Sequence, residues 1–341
     1  MTRRGALGTR AGNVGLLLAS SFFAFVLAEL GWRSLLYFKG RGFFDDPREF
    51  TSPFFTGFDE PMPFIDGFLL RYRNGSVPRE KPADEIRVIC FGGSTTVNDR
   101  AGISYPELLE RRLAAQFPGF RIRVLNAGSR GHSTAHILVN LSLRNLDAQP
   151  DVVTVYENVN DLSASWFGEG EEVLPDYAQK YKSGFYLGLR HRSGVLPAVA
   201  RISRLARFLL LRINATGFPE AREHDKNADY RRGLGIFKRN LRSIVAVAKA
   251  HGIRVLLASQ PARSDWRGQP GCVAFNRALA EVAAEEGLGF ADVARAVTDD
   301  RLFVPNDTIH NNRAGVEAVA EAFYEPLRAE VEEAAVRRGL R

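Results

Sequence analysis

The architecture of this 341-residue chain is most visible in the stretch Ile86-Arg87-Val88-Ile89-Cys90-Phe91-Gly92-Gly93-Ser94. It is a short, nearly continuous apolar run that ends in two glycines and a serine. Such a run predicts a strand that is buried on both faces, as in a parallel sheet covered by helices. The glycines allow a sharp turn and a close backbone approach, which leaves the Ser94 hydroxyl exposed at the carboxyl end of the strand.

Apolar strands and amphipathic helices continue to alternate after this stretch. Strands are predicted at 122–125, 151–156, 253–258 and 289–293, and helices at 106–117, 133–146, 232–250, 272–286 and 313–337. This alternation predicts a parallel sheet with helices on both faces, in which active residues gather at the carboxyl ends of the strands. We therefore interpret 85–341 as one α/β domain with an insertion at 163–229.

Two segments depart from the alternation. Within the insertion, 196–213 is predicted to be helical, with arginines beside an apolar run. It is interpreted either as a cap helix packed on the domain or as a basic amphipathic helix that touches a membrane surface. Residues 41–84, rich in Phe, Pro, Gly and Asp, predict an irregular arm with short strands near 64–72.

Residues 1–40 predict a cytoplasmic tail followed by a transmembrane signal anchor. The apolar stretch 14–38 is long enough to span a bilayer if Glu29 and Arg33, four residues apart, pair near the interface. A cleaved signal peptide is the alternative, although the region before Glu29 offers no convincing cleavage triplet. Lys39 and Arg41 follow the span, so positive charge flanks both sides and does not by itself set the orientation. The body is expected outside the cytoplasm because a short basic tail ahead of the first apolar segment usually stays inside.

The composition argues against several other classes of protein. The net charge is +7, but the arginines are scattered and no zinc-finger or RNP motif accompanies them, so no nucleic-acid partner is predicted. Two cysteines, Cys90 and Cys272, supply neither a disulfide framework nor a thiolate metal cluster, and a single bond between them stays open. His132 and His136 have a metal-binding spacing, but no carboxylate completes a His-Glu-x-x-His motif, so no metal is predicted.

Polar residues suited to acyl transfer follow the later strands. Asn126-Ala127-Gly128 and Glu157-Asn158-Val159-Asn160-Asp161 come directly after strands, and a glycine N–H or an asparagine amide can donate to an oxyanion. Asp307-Thr308-Ile309-His310 lies near the C-terminus. Since a serine needs a histidine to take its proton, and that histidine needs a carboxylate to fix its tautomer, the pair suits Ser94. Alone, each segment is better explained as a turn, a loop or a helix cap.

Four segments follow one another along the chain: the strand with Gly-Gly-Ser94, Asn-Ala-Gly128, Asn-Val-Asn160-Asp161 and Asp307-x-x-His310. In this order they resemble the four sequence blocks of the SGNH (GDSL-like) hydrolase superfamily, in a membrane-anchored bacterial form, and the resemblance spans 86 to about 325. The resemblance implies a flavodoxin-like three-layer α/β/α sandwich without a metal or an organic cofactor. It implies that Ser94 is the nucleophile, that His310 is its general base and then acid, and that Asp307 orients His310. The implied oxyanion donors are the main-chain N–H groups of Ser94 and Gly128 and the side chain of Asn160.

The chain departs from the family pattern at two positions. Gly93 replaces the aspartate of the Gly-Asp-Ser form, and Asn158 stands where the third block normally has glycine, a change expected to narrow the cleft or reduce activity. Gly93, Asn158 and His132 are expected to line the substrate site.

The predicted function is hydrolysis of a small acyl ester, such as acetyl, on a cell-envelope or exported carbohydrate. An O-acyltransferase that uses the same acyl-enzyme and a non-catalytic envelope binding or assembly protein stay open. The residues do not fix the oligomeric state.

Overall fold

The computed structural model describes residues 3–39, 43, 65–66, 69–166, 177, 195–212 and 230–341. The chain divides into two compact units, Met1–Thr51 with Tyr181–Glu223 and Ser52–Lys180 with His224–Arg341. Most of the predicted arm and most of the predicted insertion lie outside the described residues.

The strands of the larger unit form two sheets. Their bounds are β1 Ile65–Asp66, β2 Leu69–Tyr72, β3 Gly75–Pro78, β4 Glu85–Gly92, β5 Arg121–Asn126, β6 Val152–Tyr156, β7 Arg254–Ala258 and β8 Gly289–Ala291. The last five are parallel, in the order β5-β4-β6-β7-β8. Counted within this sheet, that is the 2-1-3-4-5 order of flavodoxin-like folds. The predicted fold class is therefore confirmed.

The helices among the described residues are of very different lengths. Their bounds are α1 Arg3–Phe38, α2 Ser94–Val97, α3 Tyr105–Gln116, α4 Thr134–Asn140, α5 Val159–Ala164, α6 Val195–Ile202, α7 Arg204–Arg212, α8 Arg231–Ala250, α9 Ser264–Arg267, α10 Pro270–Glu286, α11 Val293–Ala296 and α12 Arg313–Arg337.

Two apolar clusters cover the two faces of the parallel sheet. Along β4, Val88 and Cys90 face a cluster built with α3 and α12, whereas Ile89 and Phe91 face one built with α4, α8 and α10. Burying one such aliphatic or aromatic side chain contributes about 1.5–3 kcal/mol. Because both faces are covered, most residues of these strands are apolar, and the candidate site lies at the sheet's carboxyl edge. Cys90 and Cys272 are both buried and free.

One predicted helix is shorter in the structure. Residues 133–146 were expected to form a single helix, but α4 ends at Asn140 and is followed by a wider π turn, Leu141–Asn145, and a 3₁₀ turn, Leu146–Ala148. The Asn145 side chain donates to the Asn140 carbonyl at 3.0 Å, which gives that carbonyl a partner outside the regular helical pattern.

The second, antiparallel sheet supports the end of β5. Strands β1, β2 and β3 form a meander, of which β1 and β2 lie in the region near 64–72 where short strands were predicted and β3 lies beyond it. The Asn74 side chain accepts from the Asn126 N–H at 2.8 Å and donates to the Val124 carbonyl at 2.6 Å. Arg73 Nε donates to the Gly128 carbonyl at 2.7 Å. This sheet therefore fixes the segment that follows β5.

The smaller unit contains α1, α6 and α7. Within α1, the stretch Gly12–Phe38 is long and apolar enough to cross a membrane, a property that signal sequences share. The predicted Glu29–Arg33 pair is present, with Arg33 Nε donating to Glu29 Oε1 at 2.6 Å. The prediction of a single helix over 196–213 is wrong, because the helix is interrupted at Ser203 and continues as a second helix, α7. The Ser203 hydroxyl accepts from the Ala206 N–H at 2.9 Å and so caps α7.

Candidate active site

Ser94 begins helix α2 directly after β4, at the carboxyl edge of the sheet. The turn requires glycine because a Cβ on Gly92 would lie 2.1 Å from Thr96 Oγ1 and 2.5 Å from the Tyr156 carbonyl oxygen. The main chain therefore passes very close to the end of β6. As the first residue of α2, Ser94 has an N–H that no carbonyl within the helix can accept, which leaves it available to a ligand.

His310 reaches Ser94 from a loop that precedes α12. Its Nε2 lies 2.8 Å from Ser94 Oγ, although 216 residues separate the two in sequence. On the other side of the ring, Nδ1 lies 2.9 Å and 2.8 Å from the two carboxylate oxygens of Asp307. The Asn312 side chain caps α12 by accepting from the Gly315 N–H at 3.0 Å, which anchors the loop. The structure thus brings the three predicted catalytic residues into one chain of hydrogen bonds.

The surroundings of Asp307 keep its carboxylate charged. Burial opposes ionisation, but hydrogen bonds from the N–H groups of His310 and Ile309 and from the His310 ring outweigh it and lower the pKa of Asp307 to about 2. The guanidinium of Arg100, a residue that sequence reasoning missed, also contacts Asp307 Oδ2 at 2.7 Å. A charged Asp307 accepts a hydrogen bond from Nδ1–H of His310, and this tautomer leaves Nε2 without a proton, so that it can take the proton of Ser94.

Two of the three predicted oxyanion donors already have acceptors. The Gly128 N–H donates to Asn126 Oδ1 at 2.9 Å. Asn160 Nδ2 donates to the His132 carbonyl at 2.9 Å and to Glu157 Oε2 at 3.1 Å. These groups lie at the ends of successive strands as predicted, and their donation to an oxyanion remains a prediction, because it requires them to exchange the present acceptors for the substrate.

Asn158 links the ends of two strands. It is 2% exposed, its side-chain nitrogen donates to Asn276 Oδ1 at 2.6 Å, and its N–H donates to Gln260 Oε1 at 3.1 Å. Gln260 Nε2 in turn donates to Thr95 Oγ1 at 2.8 Å, next to the nucleophile. Asn158 therefore has a structural role behind Ser94, and a direct contact with substrate remains only a prediction.

His132 is buried beside the same segment. Its ring stacks on His136 with centroids 4.6 Å apart, and burial lowers its pKa from 6.5 to about 3. It precedes α4 rather than lying within it, and the group it presents to Asn160 is its carbonyl. Among the residues that the structure describes, no cluster of three or more His, Cys, Asp or Glu side chains is arranged to hold a metal ion.

Glu157 was not recognised from the sequence. Its buried carboxylate accepts from the Asn160 N–H at 2.8 Å, and a Cβ built on Gly93 would lie 2.3 Å from its Oε2 and 2.5 Å from Asn160 Nδ2. Gly93 is therefore a glycine because Glu157 and Asn160 occupy the space beside it. The signal available in the sequence was the joint occurrence of a glycine before Ser94 and an acid directly after β6.

Comparison with known proteins yields one family match and several solved structures. The model of the GDSL-like Lipase/Acylhydrolase family matches residues 90–318. No curated protein matches the chain.

The solved structures that the chain resembles share few residues with it. An acetylxylan esterase from Geobacillus stearothermophilus is 17% identical, covering 71% of this chain and 94% of its own at a TM-score of 0.46. A lipase/acylhydrolase from Enterococcus faecalis is 18% identical, and the match covers 72% of this chain and 96% of that protein's chain at a TM-score of 0.46. An α/β hydrolase from the metagenome of Lake Arreo, Spain, is 17% identical, covering 72% and 95% at 0.45.

Proposed function

We propose that this chain, which belongs to the GDSL-like lipase/acylhydrolase family, hydrolyses acyl esters through a triad of Ser94, His310 and Asp307. The observation that carries the proposal is the continuous chain of hydrogen bonds from Ser94 Oγ through the His310 ring to the Asp307 carboxylate. The order and polarity of these groups are those that activate a serine hydroxyl as a nucleophile.

The reaction proceeds in two half-reactions. Ser94 Oγ attacks the ester carbonyl carbon while His310 Nε2 takes the hydroxyl proton. Collapse of the tetrahedral intermediate breaks the bond to the alcohol oxygen, which leaves with the proton from His310, and the acyl group remains on Ser94. A water molecule then attacks this acyl-enzyme, giving its proton to His310, and the second collapse returns that proton to Ser94 and releases the carboxylic acid.

The negative charge that develops on the carbonyl oxygen is stabilised by hydrogen-bond donors beside Ser94. The Ser94 N–H, the Gly128 N–H and the Asn160 amide are the proposed donors, and Asn126 and Glu157 hold the last two in place until the charge develops. Removal of one such donor commonly costs about 10²–10³ in kcat. Asn160→Ala should therefore slow turnover more than it raises KM.

The proposed setting is a membrane-anchored enzyme with its catalytic domain outside the cytoplasm. Residues 1–40 form the tail and anchor, 41–84 the arm, and 85–341 the hydrolase domain with its insertion at 163–229. The apolar helix over Gly12–Phe38 and the basic residues ahead of it support this arrangement. The proposed substrate is a small acyl ester, such as acetyl, on a cell-envelope or exported carbohydrate.

The experiment that tests the function compares acetate release with acetyl transfer. Purified protein is given an acetylated glycan, alone and with an unmodified glycan present, beside the variant Ser94→Ala. Acetate release that depends on Ser94 is the expected result. Transfer to the unmodified glycan without net acetate release would instead make the protein an O-acyltransferase, and inactivity in both assays would favour a binding role.

A further inference from the structure

We infer that α6 and α7 lie in the lipid bilayer beside α1, with Glu29 and Arg33 of α1 holding the break between the two short helices. The inference rests on the proposed membrane anchor and is independent of the proposed ester chemistry. It concerns only the smaller unit, in which the three helices pack together.

The first observation is that Glu29 satisfies the amino end of α7. Its carboxylate accepts from Ser203 Oγ at 2.7 Å, from the Arg204 N–H at 2.9 Å and from the Leu205 N–H at 2.8 Å. The first N–H groups of a helix have no partner within the helix, and in water the solvent supplies one. In hydrocarbon each such group needs a partner from the protein, because leaving it unpaired costs several kcal/mol.

The second observation is that Arg33 satisfies the carboxyl end of α6. Its guanidinium donates to the Ile202 carbonyl at 2.9 Å while its Nε pairs with Glu29 at 2.6 Å. A charged side chain within a membrane helix is costly unless it is paired, and here the two opposite charges also bond both sides of the helix break. The Trp32 and Phe208 rings, 4.6 Å apart, extend the contact between α1 and α7.

The third observation is the apolar surface that the two short helices expose. Val195 and Ile202 are each 78% exposed and Leu209 is 48% exposed. Large exposed apolar surfaces on a protein mark contacts with a membrane or a partner. We assign this one to lipid because α7 packs on α1, whose Leu27 and Leu30, on either side of Glu29, are 55% and 46% exposed on the proposed span.

The depth of the short helices follows from the position of Glu29. It lies in the carboxyl half of Gly12–Phe38, so α6 and α7 pack near one face of the bilayer, where apolar side chains of such helices insert by about 5–10 Å. The inference requires α1 to be retained, because cleavage just before Glu29 would remove the apolar residues that precede it in the span.

Fluorescence of the full-length protein in vesicles of phosphatidylcholine and phosphatidylglycerol tests the inference. The environment-sensitive dye NBD is attached to Ile202→Cys or Leu209→Cys, and, as a matched control, to Val336→Cys, an exposed apolar position on α12 of the larger unit. The parent protein measures any labelling of its two buried cysteines. We expect a blue shift and quenching by spin-labelled lipid at 202 and 209, and neither at 336. Emission at 202 and 209 equal to that at 336 would overturn the inference.

Substitution of Glu29 tests the hydrogen bonds themselves. Glu29→Leu should abolish the lipid quenching at position 209, and Ser203→Ala, which removes one of three bonds, should reduce it partly. Ser203→Ala also removes the cap on the Ala206 N–H. Vesicle association and ester hydrolysis should persist in both variants. Unchanged quenching in Glu29→Leu would refute the role of Glu29. Failure of the parent to associate with vesicles would refute the proposed anchor as well, and the hydrolysis measured in parallel distinguishes both failures from loss of the esterase function.

Discussion

Replacing Asp307 by asparagine is expected to leave the site assembled but to reverse the hydrogen bonding of the His310 ring. Asp307 Oδ1 accepts from the Ile309 N–H at 3.1 Å and the His310 N–H at 3.0 Å, so the amide oxygen of asparagine will take that position. Its NH2 group then replaces Oδ2, which lies 2.8 Å from His310 Nδ1 and 2.7 Å from the Arg100 guanidinium.

Catalysis should be affected because the amide nitrogen of asparagine donates a hydrogen bond where the carboxylate oxygen of Asp307 accepts one. The NH2 group, 2.8 Å from Nδ1, favours the tautomer in which that nitrogen accepts, which puts the ring proton on Nε2, where it blocks proton transfer from Ser94. We expect kcat to fall by about 10³–10⁴ with KM little changed. Because the pKa of Asp307 is lowered to about 2, the native carboxylate is ionised at every ordinary assay pH, so titration of Asp307 itself should not appear in the native kcat profile in the neutral and alkaline range.

Steady-state hydrolysis of p-nitrophenyl acetate measures the effect, with the folded fraction of each variant taken from its thermal unfolding curve. Asp299→Asn is the matched control, because Asp299 also pairs with an arginine, Arg301, but does not contact His310 in the structure. A kcat for Asp307→Asn equal to that of Asp299→Asn would refute the assigned role of Asp307.

Three further predictions concern stability. Folding lowers the pKa of His132 from 6.5 to about 3, so between these pH values the unfolded chain binds one more proton than the folded chain. The free energy of unfolding should therefore fall by up to about 1.4 kcal/mol per pH unit as the pH decreases. Urea unfolding of His132→Gln between pH 7 and pH 4 should lack this contribution to the slope. Gly93→Asp should lower both Tm and activity because Glu157 Oε2 lies 2.3 Å and Asn160 Nδ2 2.5 Å from the added Cβ. Adding Glu157→Ala should recover part of the lost Tm, and no recovery would contradict the contact with Glu157. Gly315→Ala should lower the free energy of unfolding by about 1–3 kcal/mol, because its Cβ would lie 2.0 Å from the Leu302 carbonyl oxygen. Gly235→Ala, in open space on α8, should be neutral or stabilising. Equal stability of the two variants would contradict the packing of α12 on the loop that carries His310.

The sheet was predictable because each strand carries its own signal. The apolar run predicted at 86–91 is β4 over Glu85–Gly92, and the helix predicted at 313–337 is α12 with the same bounds. Helix interruptions were not predictable in this way. The breaks after Asn140 and at Ser203 depend on hydrogen bonds made by Asn145 and Glu29, and the second of these partners lies 174 residues away in sequence.

The candidate site was predictable to the extent that its residues follow strand ends or lie close in sequence. Asp307 and His310 are three residues apart and meet in one turn, and the parallel sheet brings Ser94 to the same edge. The acceptors that occupy the Gly128 and Asn160 donors were not foreseen, since a motif states which groups are present and not which neighbours already bind them. Arg100 and Glu157 were missed because charged residues are common in loops and neither belongs to a recognised motif.

The most direct test of the triad is covalent labelling with a fluorophosphonate, followed by mass spectrometry of the labelled peptide. We predict one adduct, on Ser94, that is absent from Ser94→Ala, strongly slowed in His310→Ala, and unchanged in Ser76→Ala, a control at an exposed serine of β3. Equal labelling of the native protein and Ser94→Ala, or no labelling of a folded native protein, would contradict the assignment of Ser94 as the nucleophile.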